Sequence, residues 1–90
     1  MTDRELLELA AKAAGVNASF DRARRDWSWN PLDDDGDALR LGMHLGMSIS
    51  IREARADGGA IHFIGIENDR MEATRRAIVR AAAEIGRTEK

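Results

Sequence analysis

The residues with the clearest chemical potential form the acidic run Asp33-Asp34-Asp35-Gly36-Asp37. Aspartates at alternate positions open the calcium loop of an EF-hand, which needs glycine at its sixth position and glutamate at its twelfth. Counted from Asp33, those positions hold Ala38 and His44. The run therefore does not match a calcium loop. A helix cap with solvent-exposed charge explains it best, and an acidic docking patch for a basic partner is the alternative.

Histidine and serine offer no stronger motif. His44 and His62 are the only histidines, and neither stands in an H-E-x-x-H motif or a comparable metal-ligand spacing. The sequence contains no cysteine and no G-x-S-x-G motif that would mark a nucleophilic serine. We therefore expect no enzyme activity, no metal and no cofactor. A small metal-binding regulator built on the two histidines and the aspartates is a third hypothesis.

Basic and aromatic side chains alternate ahead of the acidic run, as they do in single-strand nucleic-acid binders. These residues are Arg22, Arg24, Arg25, Trp27 and Trp29. Two tryptophans in a chain with two other aromatic residues are better explained as anchors in or beside the core. The net charge of −2 also argues against a protein that neutralises many phosphates. Weak nucleic-acid binding is thus the alternative function.

Length and composition limit the number of domains and the size of the core. The chain has 90 residues, of which 43% are apolar and 33% charged, values typical of one globular domain. We expect a single domain over residues 1–90 with one modest core and a frayed end at 87–90. The lack of cysteine and of a basic-then-apolar leader favours the cytoplasm, and no apolar run reaches membrane-spanning length.

Capping signals and apolar periodicity predict the first two helices. Thr2 and Glu5 match a capping box, so the first helix should begin at Asp3, and Gly15 is its natural stop. The second helix is predicted over about 34–45, with the acidic run at its N-terminus, where carboxylates oppose the helix dipole.

A third helix is predicted to open at Asn68 and Asp69 and to stop at Gly86. Apolar residues at helical spacing mark its buried face: Met71, Thr74, Ile78, Ala81 and Ile85. Its arginines are expected on the opposite, solvated face. Two ion pairs are expected there at i,i+4 spacing: Glu72 with Arg76, and Arg80 with Glu84.

Between the second and third helices, Asp57-Gly58 predicts a tight β-hairpin turn. With these two residues as the loop, Ile51 faces Ile64, and all four isoleucines of the ribbon share one face. Because a two-stranded hairpin is marginal in water, either residues 16–29 extend it to a three- or four-stranded antiparallel sheet, or a partner chain completes it. The predicted fold class is α+β, with three helices and this hairpin.

Residues 29–41 resemble a segment of small, mostly uncharacterised prophage-encoded proteins of proteobacteria; the sequence there reads W-N-P-L-D-D-D-G-D-A-L-R-L. Residues 2–7 and 73–82 resemble the same family, and phage NinX-like proteins are more distantly similar through their tryptophan-Asn-Pro element. The resemblance implies a phage origin and an accessory role. It brings no activity, ligand or catalytic residue with it.

The leading expectation is a prophage accessory protein without catalysis, which acts by protein–protein interaction in the cytoplasm of a bacterial host cell. We expect its partner to be a host or phage protein, and not a nucleic acid or a membrane. Homodimer formation is left open as an alternative. The expectation draws on the segregation of negative charge at the acidic run from positive charge on the third helix. The candidate interaction patch comprises Asp33, Asp34, Asp35, Asp37, Trp27, Trp29, Arg75, Arg76 and Arg80.

Overall fold

The computed structural model describes residues 2–16, 20–21, 26–27 and 29–88. In chain order the elements are α1 (Asp3–Ala14), β1 (Phe20–Asp21), β2 (Asp26–Trp27), α2 (Asp35–His44), β3 (Ser48–Ser50), β4 (Arg55–Gly58), β5 (Ile61–Ile64) and α3 (Arg70–Thr88). The three helices pack with an antiparallel sheet of order β3-β4-β5. The predicted α+β class is confirmed. Within the described ranges, no helix combines the length and apolarity needed to cross a membrane.

The caps of α1 form as predicted. The Thr2 hydroxyl accepts a hydrogen bond from the Glu5 N–H at 3.1 Å, and the Thr2 N–H donates to Glu5 Oε1 at 3.3 Å. Gly15 ends the helix in the left-handed conformation. Two free N–H groups of the first turn are thus satisfied by side chains, which explains why the helix starts where it does.

The predicted hairpin register is wrong. Asp57 and Gly58 lie inside β4, which pairs with β5 so that Gly58 faces Ile61. The tight turn is formed by Gly59 and Ala60 instead, and Gly59 takes a φ of +66° that favours glycine. The turn therefore lies two residues further along the chain than predicted.

This shift creates the third strand of the sheet. Ile51 leaves the strand in a turn at 51–54, so β3 folds back on β4 and Ile49 faces Ala56. Across β4, Ala56 faces Phe63, and the row Ile49, Ala56 and Phe63 packs on the core. Ile64 points to the other, exposed face of the sheet. The isoleucines are thus divided between two faces.

The described part of residues 16–29 adds no strand to the sheet β3-β4-β5. The strands β1 and β2 pair only with each other, with Phe20 opposite Trp27, and form a separate two-stranded ladder. The third strand that the prediction sought in this region comes from 48–50.

Most of the core is built by α3, which packs along α1 on one side and on β4, β5 and α2 on the other. The buried residues are mostly small: Ala10, Ala14, Ala38, Ala56, Ala77, Ala81, Ala82 and Ala83 lie among Leu6, Leu7, Leu32, Leu41, Ile78 and Val79. Small side chains let neighbouring elements approach one another closely. The helix α3 can therefore contact α1, α2, β4 and β5 together.

Gly86 does not stop α3, which continues to Thr88. Gly86 is buried, and a Cβ added to it would overlap the carbonyl of Leu9 on α1. The glycine is required by the close contact between the two helices rather than by a helix end. A sequence pattern read along one helix contains no sign of that neighbour.

Candidate functional site

An open groove of about 210 Å³ lies between α2, α3 and the end of β3. We call it the α2–α3 groove; its lining is Asp35, Ala38, Leu39, Ile49, Ile51, Met71, Thr74, Arg75 and Ile78. Most of this lining is apolar, and three of its large side chains are exposed: Leu39 at 54%, Ile51 at 65% and Met71 at 56%. Large apolar side chains that lie together around one exposed hollow make it a candidate interaction site.

The volume of the groove limits its ligands. Sites for drug-sized molecules and cofactors usually enclose about 300–1,000 Å³. The α2–α3 groove is smaller and open to solvent, which suits one or two apolar side chains of a larger partner.

The acidic run forms the cap of α2. Asp34 Oδ2 accepts a hydrogen bond from the Asp37 N–H at 2.7 Å, and Asp37 Oδ2 accepts one from the Asn30 N–H at 3.0 Å. Pro31 and Leu32, between these polar groups, are buried. The cap predicted for this run is confirmed. It fixes the direction in which α2 leaves the turn at residues 31–33, which we call the corner.

Arg75 on α3 holds this corner in place. Its Nη1 donates to Asp35 Oδ1 at 2.6 Å, and its Nε donates to the carbonyl oxygen of Leu32 at 2.8 Å. The Arg75 side chain is only 18% exposed, whereas that of Asp35 is 57% exposed. The acidic run and one arginine of α3 are therefore in contact. The prediction that the negative charge of the run is separated from the positive charge of α3 is wrong for Arg75.

The other two candidate arginines of α3 lie on a different face of the helix. Arg76 pairs with Asp3 at 3.0 Å and with Glu72 at 3.4 Å. Arg80 pairs with Glu67 at 3.4 Å, not with Glu84 as predicted. Both arginine side chains are half-buried and paired with at least one carboxylate, so their positive charges are not free on this side of α3.

The candidate patch is thus divided. Asp35 and Arg75 line the α2–α3 groove, and Asp33, Asp34 and Asp37 lie around the cap of α2. Arg76 and Arg80 line a second hollow of about 290 Å³ with Leu6 and Phe63. Trp29 is half-buried and packs on the core. The backbone of Trp27 belongs to β2. The side chain of Trp27 and the residues Arg22, Arg24 and Arg25 lie outside what the structure describes.

The groove itself was not found from the sequence. Met71 was assigned to the buried face of α3 and Ile51 to the buried face of a hairpin, yet both are exposed at the groove. Leu39 has the helical spacing of a core residue, and nothing in the pattern distinguishes it from one. The hypothesis of a metal site on the histidines and aspartates gains no support, because the described residues contain no group of three or more possible ligands placed to hold a metal.

The Asp3–Arg76 pair makes stability depend on pH. The hydrogen bond from Arg76 lowers the pKa of Asp3 below its ordinary value of 3.8, although partial burial opposes this. A lowered folded-state pKa adds stability above the ordinary value, and that stability is lost as the pH falls through the folded-state value. We expect the difference in urea midpoint between wild type and Asp3→Asn to be largest near about pH 6 and to shrink steadily below about pH 4. In an Arg76→Gln background, Asp3→Asn should have little effect at either pH; a pH-independent difference would contradict the assignment.

Comparisons with protein-family models, curated proteins and solved structures find no match to this chain.

Proposed function

We propose that this domain binds another protein through the α2–α3 groove. The observation that carries the proposal is the convergence of exposed Leu39, Ile51 and Met71 on one apolar hollow. Exposed apolar area of this kind gains free energy when a partner removes it from water, by about 25 cal/mol for each Å².

The pairing of the three candidate arginines of α3 favours a protein over a nucleic acid as the partner. Arg75, Arg76 and Arg80 each hold a carboxylate at 2.6 to 3.4 Å, which leaves little positive charge for phosphates. We assign the domain a phage or prophage accessory role without a catalytic step, on the resemblance of residues 29–41. Binding of single-stranded nucleic acid through Arg22, Arg24, Arg25, Trp27 and Trp29 is the alternative, with no observed contact in its favour.

Site-specific photo-crosslinking tests the proposal. A photo-reactive amino acid in place of Leu39 should form covalent adducts with a different protein in an extract of the cells that produce this chain. The reason is that the Leu39 side chain lies at the groove and is 54% exposed. The matched control carries the same group at Ile64, which is 55% exposed on the outer face of the sheet. Adducts with a different protein at 39 but not at 64, lost in a Met71→Ser background, are expected.

Two outcomes would contradict the proposal. Equal amounts of adduct with a different protein at positions 39 and 64 would mean that crosslinking depends only on how exposed the side chain is, and not on a binding site. Adducts at 39 that contain only a second copy of this chain, identified by mass spectrometry, would mean that the groove is a homodimer interface.

A further inference from the structure

We infer that two copies of this chain associate through β5, whose free edge pairs antiparallel with β5 of the second copy and joins the two three-stranded sheets into one. None of the described residues that line the α2–α3 groove belongs to β5, so this surface is separate from the one in the proposed function. Three observations carry the inference: the unpaired backbone of β5, the uncharged side chains along it, and an open hollow beside it.

The backbone of β5 is hydrogen-bonded on one side only. Within the described residues, β4 is the single neighbour of β5 in the sheet. The Gly65 N–H donates to the Ala54 carbonyl at 2.8 Å and continues the ladder between these strands. Because successive residues of a strand direct their backbone groups to opposite sides, the N–H and C=O groups of His62 and Ile64 point away from β4. They form a template for a further strand.

The opposite edge of the sheet is less suited to pairing. The strand β3 has three residues, Ser48–Ser50. By the same alternation, only Ile49 among them directs its N–H and C=O groups away from β4. A very short edge gives a second strand little to pair with. We therefore expect β5, and not β3, to form the interface.

The side chains of the β5 edge suit an interface between identical copies. Residues 61–66 read I-H-F-I-G-I and contain no lysine, arginine, acidic residue or proline, although 33% of the chain is charged. Natural sheet edges are usually protected by such residues. Near the axis of a two-fold interface each residue meets its own copy, so a charge there would face a like charge. An uncharged edge avoids this repulsion, and it offers no charge by which a strand of another protein could be selected.

A register centred on Ile64 matches the exposed apolar side chains to one another. Ile64 then faces its own copy, and His62 faces Ile66 of the second copy. In the single chain Ile64 is 55% exposed and Ile66 is 84% exposed. Contact between the side chains of neighbouring strands removes part of this apolar area from water and stabilises the pair. The isoleucines of both copies would form one continuous row on the outer face of the joined sheet.

The second hollow, of about 290 Å³, lies beside this edge, between β5, α1 and α3. Phe63 of β5 and Leu6 of α1 both line it, so the core-facing side of the edge strand is partly open. The charged lining holds equal numbers of acidic and basic side chains: Asp3, Glu84, Arg76 and Arg80. A second copy placed against the edge would therefore cover this opening without an excess of one charge at the interface.

Oxidation of single-cysteine variants tests the inference. The chain has no cysteine of its own, so Ile64→Cys carries one thiol. Directly opposed residues of a hydrogen-bonded antiparallel pair have Cα atoms about 5.5 Å apart, a distance that a disulfide spans. Mild oxidation of a dilute solution should therefore convert Ile64→Cys to a disulfide-linked dimer. The photo-reactive group at Ile64 should likewise form adducts only with a second copy of the chain.

The matched control for Ile64→Cys is Leu39→Cys. The native side chains at the two positions are equally exposed, 55% for Ile64 and 54% for Leu39, but Leu39 lies on α2 and outside the β5 edge. Because its thiol is not held opposite its own copy, Leu39→Cys should form the linked dimer at least about tenfold more slowly.

The molar mass in solution is an independent measurement. In size-exclusion chromatography with light scattering, the wild type should have twice the chain mass of 10.0 kDa, and this value should fall on dilution. Ile64→Lys places two lysines face to face at the axis and should have the mass of one chain. Leu39→Lys makes the same change at an equally exposed position and should stay dimeric. Circular dichroism of each variant checks that the domain is folded.

The outcomes separate this inference from the proposed function. A wild type with the mass of one chain at every concentration, or equal rates of crosslinking for Ile64→Cys and Leu39→Cys, would overturn the β5 interface and leave the α2–α3 groove untouched. A dimer that Leu39→Lys dissociates and Ile64→Lys does not would place the contact between copies at the groove. That result would contradict both this inference and the proposed function.

Discussion

Replacing Gly86 with alanine is expected to lower the free energy of unfolding by about 3 kcal/mol. The added Cβ would overlap the backbone carbonyl of Leu9, so α1 and α3 would have to move apart at this contact. A backbone group cannot rotate away as the end of a long side chain can. For a domain of this size, whose total stability is about 5 to 13 kcal/mol, such a loss is a large part of the whole.

Gly36→Ala is the matched control for Gly86→Ala. Gly36 also lies in a helix, but a Cβ there would approach only the ends of the Arg40 and Asp34 side chains, at 3.2 Å. Alanine is favoured over glycine in helices, so this variant should be neutral or more stable by up to about 1 kcal/mol. Urea denaturation followed by circular dichroism measures both. Equal stability of Gly86→Ala and wild type would mean that the two helices are further apart than described.

Arg75→Ala is expected to cost about 2 to 3 kcal/mol, the second largest effect. The substitution removes the donor to the carbonyl of buried Leu32 together with the ion pair to Asp35. A carbonyl left without a donor in a buried place costs about 1 to 3 kcal/mol, whereas an ion pair with an exposed carboxylate contributes less than about 1 kcal/mol. Most of the loss should therefore come from the Leu32 contact.

A double-mutant cycle tests this division. Asp35→Ala removes the ion pair but leaves the hydrogen bond from Arg75 Nε to Leu32, so it should cost less than about 1 kcal/mol. Arg75→Ala should remain strongly destabilising in the Asp35→Ala background. Comparable losses for the two single variants would show that the ion pair, and not the buried carbonyl, holds the corner.

The helix starts were predictable because they depend on residues close in sequence. Thr2 and Glu5 satisfy each other's backbone groups across three residues, and Asp34 caps Asp37 across the same spacing. Asp69 likewise accepts from the N–H groups of Met71 and Glu72 at the start of α3. Such contacts are local, so residue type and spacing are enough to predict them.

The candidate site was only partly predictable. Asp35 was identified as part of the acidic run, but the apolar side chains that line the groove with it were assigned to the core. Whether Met71 and Ile51 are covered depends on where α2 crosses α3 and on which residues turn after β3. Hydrophobic periodicity shows which residues share a face of an element and not how far a neighbouring element extends over it.

The amino-acid sequence by itself determined the three helices, their N-terminal caps and the α+β class, because these follow from interactions over a few residues and from overall composition. The tertiary structure alone decided the strand register, the need for glycine at position 86 and the opening of the groove. The glycine and the groove depend on contacts between residues far apart in the chain, such as Leu9 with Gly86, and the register depends on which row of side chains packs on the core. Their free energies are set by how whole elements pack.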